Sequence, residues 1–260
     1  MADQLAQEPA HRDGRVRWYD LLIAFFGGTL AGIVLTALVG LVGVLIAMRY
    51  GFRPTVASLT TFLRTSFATN MATIVLSDGG LLAVVWLVAR RRFAHPTAQF
   101  FAPVRSSAVV WAILSGLGLS LLLNGGNELL ERVLHVRFEE TDIERVLEPH
   151  GAGQFAVALA VVALFAPFIE EYFFRGVFLA WARHATGAWA GTVITALGFA
   201  LAHGHLFVHP GTQGLVFTAE LFAAGVILAQ WVVRTGSLRT SFAAHAAYNA
   251  TAILFSVFYP

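Results

Sequence analysis

Residues 21–48 read LLIAFFGGTLAGIVLTALVGLVGVLIAM, a run of 28 residues without a charged side chain. A membrane-spanning α-helix needs about 20 consecutive apolar residues, so this run predicts a helix that crosses a bilayer. It is longer than the apolar core of a signal peptide, and no persuasive cleavage site follows it. The first long element of the chain is therefore predicted to be a retained transmembrane helix.

The same apolar character extends over the rest of the chain. Of the 260 residues, 57% are hydrophobic and 12% are charged, and the mean hydropathy is +0.71. Because this composition cannot provide the polar surface of a soluble domain, it predicts a multi-pass integral membrane protein. Further spans are expected at residues 66–89, 107–123, 153–182, 187–208, 213–233 and 240–258.

These spans predict an all-α fold, a polytopic transmembrane bundle of seven or eight helices. Backbone groups in hydrocarbon must be hydrogen-bonded within the spanning segment, and the alternating pattern of barrel strands is absent from the sequence. The eighth helix depends on residues 54–65, which form either an interfacial helix or an additional crossing. The helix count decides on which side of the membrane each terminus lies.

The chain divides into three predicted parts. Residues 1–18 form a polar N-terminal tail, and residues 19–151 form the N-terminal transmembrane helices with a long acidic loop at about 124–152. Residues 152–260 form a helical core that carries the polar motifs. No internal repeat is visible.

Composition also excludes several classes of function. The chain has no cysteine, which excludes disulfide scaffolds, thiolate metal sites and a cysteine nucleophile. All 17 basic residues are arginines. They are scattered in short loops, where a membrane protein needs them for its orientation, so we expect the lipid bilayer and no nucleic acid as a partner.

Three charged residues interrupt the apolar segment LFAPFIEEYFFRGVFLAW at 164–181. A charge within a spanning helix costs several kcal/mol unless it faces the bundle interior or a wet cavity. Glu171 and Arg175 are four residues apart and share a helix face, on which they can form an ion pair. Glu170 is turned by about 100° from Glu171, so it is available to point into a cavity.

Two later segments carry polar side chains at membrane depth. FALAHGHLFVH contains His203 and two further histidines, and FAAHAAYNA contains His245 and Asn249 on one helix face. Each polar group alone is explained about equally well by helix packing. Together, a carboxylate, two imidazoles and an amide are the set needed to activate water and hold an oxyanion.

These motifs resemble those of a known family. EEYFFR at 170–175, FALAH at 199–203 and HAAYN at 245–249 occur in this order, each in its own predicted helix. They are similar to the motifs of the CPBP family of intramembrane endopeptidases: Glu-Glu-x-x-x-Arg, Phe-x-x-x-His, and His-x-x-x followed by Asn or a small residue. That family includes the type II CAAX prenyl proteases and bacterial abortive-infection or bacteriocin-processing proteins. The helices before residue 152 match only as hydrophobic segments.

The resemblance implies an intramembrane endopeptidase that hydrolyses a peptide bond of a membrane-associated protein or peptide. It implies that Glu170 is the general base that polarises the attacking water, and that His203 shares this water. The spacing also favours Glu170 as the base, because Glu171 is four residues from Arg175 and is occupied by pairing with it.

The resemblance also implies roles for the other motif residues. His245 and Asn249 would stabilise the oxyanion of the tetrahedral intermediate, and the pair of Glu171 and Arg175 would hold its helix in register. The substrate stays open among peptide maturation, bacteriocin self-immunity and processing of a membrane regulator. The arginine-rich, alanine-rich composition is compatible with a high-GC bacterium, so the expected location is a bacterial cell membrane.

A metal cofactor is a second open point. Glu170, His203 and His245 can supply the two imidazoles and one carboxylate of an open catalytic zinc site. However, the sequence has no His-Glu-x-x-His helix of the kind that zinc peptidases use. A glutamate-activated water fits the same residues, so the sequence slightly favours no tightly bound metal.

Other functions fit the sequence less well. A rhomboid-type serine protease needs a glycine after its nucleophile, and Ser120 in GLGLSLLL lacks it. An aspartyl protease needs two intramembrane aspartates, and Asp78 stands alone. A proton-coupled transporter would use Glu170, Glu220, Asp78 and the histidines as a relay, but no inverted repeat supports it. A non-catalytic membrane scaffold is the remaining alternative.

Overall fold

The protein is described by a computed structural model over residues 15–51, 53, 55, 57–59, 66–135, 137–138, 149–209 and 211–258. This part of the chain contains helices and no strand, which confirms the predicted all-α fold. The helices are α1 (Trp18–Arg49), α2 (Phe67–Arg92), α3 (Pro96–Phe100), α4 (Ser106–Leu134), α5 (Ala152–Thr186), α6 (Ala188–Ala202), α7 (His205–Val208), α8 (Thr212–Thr235) and α9 (Leu238–Phe258).

Most of these helices are suited to a membrane. Within the described ranges, six segments are long and apolar enough to cross one: α1, α2, α4, α5, α6 with α7, and α8. The seventh long helix, α9, has 21 residues but is not among the six. It carries several polar residues, including His245 and Asn249. The seven long helices are roughly consistent with the predicted count, and the protein is a multi-pass integral membrane protein.

The structure changes two of the predicted boundaries. The acidic loop expected from about residue 124 begins later, because α4 continues to Leu134 and includes Glu128 and Arg132, whose side chains are paired at 3.4 Å. Glutamate, leucine and arginine favour helix, so the helix extends beyond its apolar part. Residues 139–148 of that loop, most of segment 54–65 and residues 1–14 of the tail lie outside the described residues. The three-part division of the chain stays a prediction.

The second change concerns the span expected at residues 187–208. Instead of one continuous helix, α6 ends at Ala202, His203 caps it, and Gly204 adopts φ of +73° before α7 begins. A positive φ is accessible to glycine without steric cost, so Gly204 permits the chain to turn at this point. The break leaves His203 at the end of α6.

The long helix α5 is not a regular α-helix throughout. Two π-helical turns, Leu159–Phe165 and Tyr172–Phe178, flank the α-helical stretch Ala166–Glu171 that carries both glutamates. π-helical turns are rare and occur frequently at functional sites. They change the direction in which the following side chains point, so the two glutamates are set between two irregular turns.

Close packing brings α9 against α4. A side chain on Gly116 of α4 would collide with the carbonyl oxygen of Ala244, the residue before His245. The glycine therefore permits the two backbones to approach directly, as small residues do at transmembrane helix interfaces. This contact fixes the position of the α9 segment that carries the polar motif.

An ion pair joins the first two long helices. Arg92 donates from Nε to Asp20 Oδ2 at 2.7 Å and from Nη2 to Oδ1 at 2.9 Å. Such a two-bond arrangement has a defined geometry as well as favourable energy. It holds the end of α2 against the start of α1, and α2 in turn packs on α5.

Candidate active site

A cavity of about 560 Å³ lies at the centre of the bundle. Helices α2, α4, α5, α6, α8 and α9 and the short helix α7 all contribute to its wall, which is mostly apolar. Its volume is typical of ligand pockets, which span about 300–1,000 Å³. The polar residues on its wall are Asp78, Glu170, His203, His205, His245, Tyr248 and Asn249.

The lengths of the helices explain why the polar motifs meet at one depth. From Glu170 to the end of α5, the helix descends by about 24 Å at 1.5 Å per residue. Helix α6 has 15 residues and returns by about 22 Å, which brings His203 back to the level of Glu170. Helix α9 begins beside the middle of α5, because Leu238 lies within van der Waals reach of Gly176. His245 therefore reaches the same level within two turns.

Behind the cavity wall lies a buried ionic cluster. Arg175 Nη1 lies 2.9 Å from Glu171 Oε1, and the exposed fractions of the two side chains are 1% and 0%. The same carboxylate oxygen lies 2.9 Å from Nδ1 of His245. The guanidinium also packs over the ring of Phe199, with its Cζ 4.2 Å from the ring centroid. Glu171 thus joins α5 to α9 and has its charge compensated within the protein.

Glu170 has different surroundings from its neighbour. Its Oε2 atom is buried and makes no hydrogen bond within the described part of the chain. Nε2 of His203 lies 3.8 Å from this oxygen, and Nε2 of His245 lies 3.7 Å from it. Both distances exceed those of a direct hydrogen bond. Each distance is short enough for one water molecule to bridge a histidine Nε2 and Glu170 Oε2 if the water lies to one side of the line that joins them.

The hydrogen-bond partners assign the ring nitrogen that carries a proton in each histidine. Nδ1 of His203 lies 2.8 Å from the carbonyl oxygen of Phe199, which can only accept, so Nδ1 donates. Nδ1 of His245 likewise donates to the carboxylate of Glu171. In each ring the other nitrogen, Nε2, is directed towards Glu170. The ring of Phe199 contacts both imidazoles edge-on, at centroid distances of 4.5 and 5.7 Å.

Asn249 lies on the cavity wall one turn after His245 and also supports α5. Its Nδ2 donates to the carbonyl oxygen of Val162 at 2.8 Å. In a π-helical turn the carbonyl oxygen of a residue accepts from the N–H five residues later. For Val162 that residue is Pro167, which has no N–H, so the Val162 carbonyl lacks its helical donor. The amide satisfies the carbonyl with one N–H and retains a second.

All six residues singled out in the sequence come together in this region. Glu170, His203, His245 and Asn249 line the cavity, whereas Glu171 and Arg175 lie behind it. Their catalytic roles stay predictions. The sequence analysis did not place Asp78 or His205 at the site, although an ionisable residue in a spanning helix is itself an indication of function.

A metal site needs several ligand side chains that converge on one point. Among the described residues, no group of three or more His, Cys, Asp and Glu side chains is arranged to hold a metal ion. The two imidazoles and the carboxylate of Glu170 meet at 3.7 and 3.8 Å, but they do not form such a group. The zinc site considered from the sequence is therefore without support among the described residues.

The fold and the site define a multi-pass membrane protein with a mostly apolar cavity, carrying several ionisable side chains, inside its helical bundle. Residues 152–251 match the model of the family described as Rce1-like, type II CAAX prenyl endopeptidase. This segment contains all three motifs, and the match supports the CPBP/CAAX protease family that the motifs predicted. The match supports a protease of the CAAX type.

A protein of Escherichia coli described as an uncharacterized 24.3 kDa protein is 27% identical over 176 residues, which are 67% of this chain and 75% of that protein. No solved structure matches the chain significantly.

Proposed function

We propose that the protein is an intramembrane endopeptidase that hydrolyses a peptide bond of a membrane-associated protein or peptide, using water activated by Glu170 and His203. One observation carries the proposal. A buried carboxylate oxygen of Glu170 has no hydrogen-bond partner in the described chain and faces Nε2 of both His203 and His245 from the cavity wall. The family match over residues 152–251 supports the same class of reaction.

The first step is the activation of water. Because Nδ1 of His203 is occupied as a donor to Phe199, its Nε2 is an acceptor in the neutral ring. A water between Nε2 and Glu170 Oε2 donates one proton to each, so its lone pair is directed into the cavity. Glu170 then takes a proton as the water oxygen bonds to the carbonyl carbon of the substrate.

The second step is stabilisation of the oxyanion, and charge balance indicates how His245 contributes. The carboxylate of Glu170 on the cavity wall, the carboxylate of Glu171 behind it and the cation of Arg175 together leave one negative charge uncompensated. An imidazolium at His245 makes the group neutral and turns Nε2 into a donor. That N–H, together with the second N–H of Asn249, donates to the developing oxyanion.

The third step is departure of the amine. The tetrahedral intermediate collapses as the C–N bond breaks, and the proton held by Glu170 passes to the leaving nitrogen. The products are a carboxylic acid and an amine, and Glu170 returns to its ionised state. The ion pair of Glu171 and Arg175 makes no contact with substrate in this scheme. It positions His245 through the 2.9 Å contact with Nδ1.

The experiment compares the purified full-length protein with its Glu170→Gln variant in lipid vesicles. A library of membrane-anchored peptides is added, and the cleavage products are identified by mass spectrometry. The substitution keeps the shape but removes the base, so cleavage should fall by about 10²- to 10⁴-fold while the protein still folds. Glu128→Gln is the matched control, because Glu128 is exposed on α4 and forms a surface pair with Arg132.

Two outcomes would contradict the proposal. Cleavage by Glu170→Gln at the rate of the parent would remove Glu170 from the reaction. If the parent cleaves no peptide, while Glu170 and Asp78 prove necessary for proton-coupled uptake of a solute into the vesicles, the cavity belongs to a transporter instead.

A further inference from the structure

Asp78 lines the same cavity as Glu170 but comes from a different part of the chain. It belongs to α2, which precedes the segment 152–251 that matches the protease family. Its placement follows from helix geometry, because Ile74 lies one turn before it on the same face and also lines the cavity. The two residues form the part of the wall that α2 contributes.

Asp78 has few partners within the protein. Its carboxylate is contacted by the hydroxyl of Ser77 at 3.5 Å, the outer limit for a hydrogen bond. The same hydroxyl donates to the carbonyl oxygen of Ile74 at the shorter distance of 3.1 Å. An ionised carboxylate accepts about four hydrogen bonds, and no ion pair within the described chain engages this one.

Apart from its imidazoles, the cavity wall carries no basic side chain that could pair with Asp78. None of the residues on its wall is an arginine, and the sequence contains no lysine. Arg175, the nearest cation in the catalytic motif, is buried against Glu171 behind the wall. In the proposed mechanism the positive charge of His245 compensates Glu170, so it does not compensate the carboxylate of Asp78. A carboxylate in apolar surroundings is costly unless it is paired or protonated, and a cationic group of a bound molecule can supply the partner.

We infer that Asp78 determines substrate specificity by binding a positively charged ammonium or guanidinium group close to the scissile bond. This inference rests on the proposed function and names the substrate class of the same site. The cation is either a lysine or arginine side chain or the free N-terminus of the peptide. The apolar remainder of the wall, including Ile74, Leu119 and Leu221, takes the uncharged parts of the substrate.

The preference for a cationic peptide arises both because Asp78 attracts it and because a neutral peptide is disfavoured at the same position. A peptide with a neutral group at this position leaves Asp78 desolvated and unpaired, whereas a cationic one pairs with it. Discrimination against a substrate that lacks a required polar partner is therefore expected to be at least about 10-fold.

Cleavage is tested with membrane-anchored peptides that differ at one position near the cleavage site, occupied by lysine or by uncharged norleucine. A second pair differs only in whether the N-terminus is free or acetylated, which distinguishes the two sources of the cation. The parent should cleave one cationic member at least about 10-fold more efficiently than its neutral partner. Asp78→Asn should abolish this difference by raising KM for the cationic peptide, and Asp78→Glu should restore part of it.

Binding is measured separately so that the inference does not depend on turnover. In the Glu170→Gln background, the labelled cationic peptide should bind more tightly than the neutral one, and adding Asp78→Asn should remove the difference. Glu220→Gln is the matched control, because Glu220 is also a carboxylate within a spanning helix but does not line the cavity. Thermal unfolding of each variant shows whether it folds like the parent.

The results separate this inference from the proposed function. Cleavage without a preference for the cationic peptide, or a preference that survives in Asp78→Asn, overturns the role of Asp78 and leaves the protease intact. A fall in kcat of equal size for cationic and neutral peptides in Asp78→Asn also overturns it and indicates a proton donor instead. Equal binding of both peptides in the Glu170→Gln background overturns it independently of any cleavage.

Discussion

Nδ1 of His245 lies 2.9 Å from Oε1 of Glu171, a residue 74 positions earlier in the chain. Glu171 therefore holds His245, whose other ring nitrogen faces Glu170. Glu170 and Glu171 are neighbours in sequence, yet one lines the cavity and the other is fully buried in an ionic cluster. This division of the two carboxylates leads to predictions that separate stability from catalysis.

The first prediction concerns the stability of the buried cluster. Glu171→Gln leaves Arg175 buried without a charged partner and weakens the bond to His245, so unfolding should become easier by about 3–5 kcal/mol. Thermal or denaturant unfolding in detergent measures the change. Glu128→Gln breaks an exposed pair with Arg132 and should alter stability little. A Glu171→Gln variant that is fully stable but inactive, beside an active Glu170→Gln variant, would mean that the two roles are reversed.

The second prediction concerns the oxyanion. His245→Ala and Asn249→Ala should lower kcat more than they raise KM, because an oxyanion contact is made mainly in the transition state. The loss should be about 10²- to 10³-fold for a single donor. Steady-state kinetics with a membrane-anchored peptide provide the measurement, with Tyr248→Phe as a control on the same cavity wall. A rise in KM at unchanged kcat would assign the two residues to substrate binding instead.

Local spacing in the sequence predicted much of the site. A four-residue separation is enough to expect that Glu171 and Arg175 share a face, and the structure pairs them at 2.9 Å. Apolar runs of sufficient length likewise predicted the spanning helices. In both cases the cause lies within one helix, where geometry follows directly from sequence separation.

Contacts between helices were not predictable in the same way. The bond from Asn249 to Val162 depends on how α9 packs against an irregular turn of α5, and the break after His203 depends on the conformation of Gly204. Asp78 reaches the cavity because α2 packs beside α5. The spacing of residues along a single helix contains no information about which helix lies next to it.

The third prediction concerns the packing of α4 against α9. Gly116→Ala should destabilise the protein by about 1–3 kcal/mol and reduce cleavage, because the new methyl group would collide with the carbonyl oxygen of Ala244 and displace His245. Gly118→Ala is the matched control on the same helix, since a side chain there meets no atom within 4 Å. The control should keep its activity and be as stable as the parent or slightly more so, because alanine favours helix over glycine. Equal effects of both substitutions would show that the close approach at Gly116 is unimportant.

The last prediction concerns metal. In the proposed mechanism His245 is an imidazolium, with Nδ1 bonded to Glu171 and a proton on Nε2. A metal ligand must be a neutral imidazole, so a metal would bind Nε2 only in competition with that proton. Elemental analysis of the purified protein should therefore find well under one equivalent of zinc per chain, and cleavage should persist in a strong chelator. The control is a second preparation dialysed against zinc, which should cleave at the same rate. One tightly held metal per chain, lost together with activity in His203→Ala while the fold is retained, would contradict the water-only mechanism and identify His203 as a ligand.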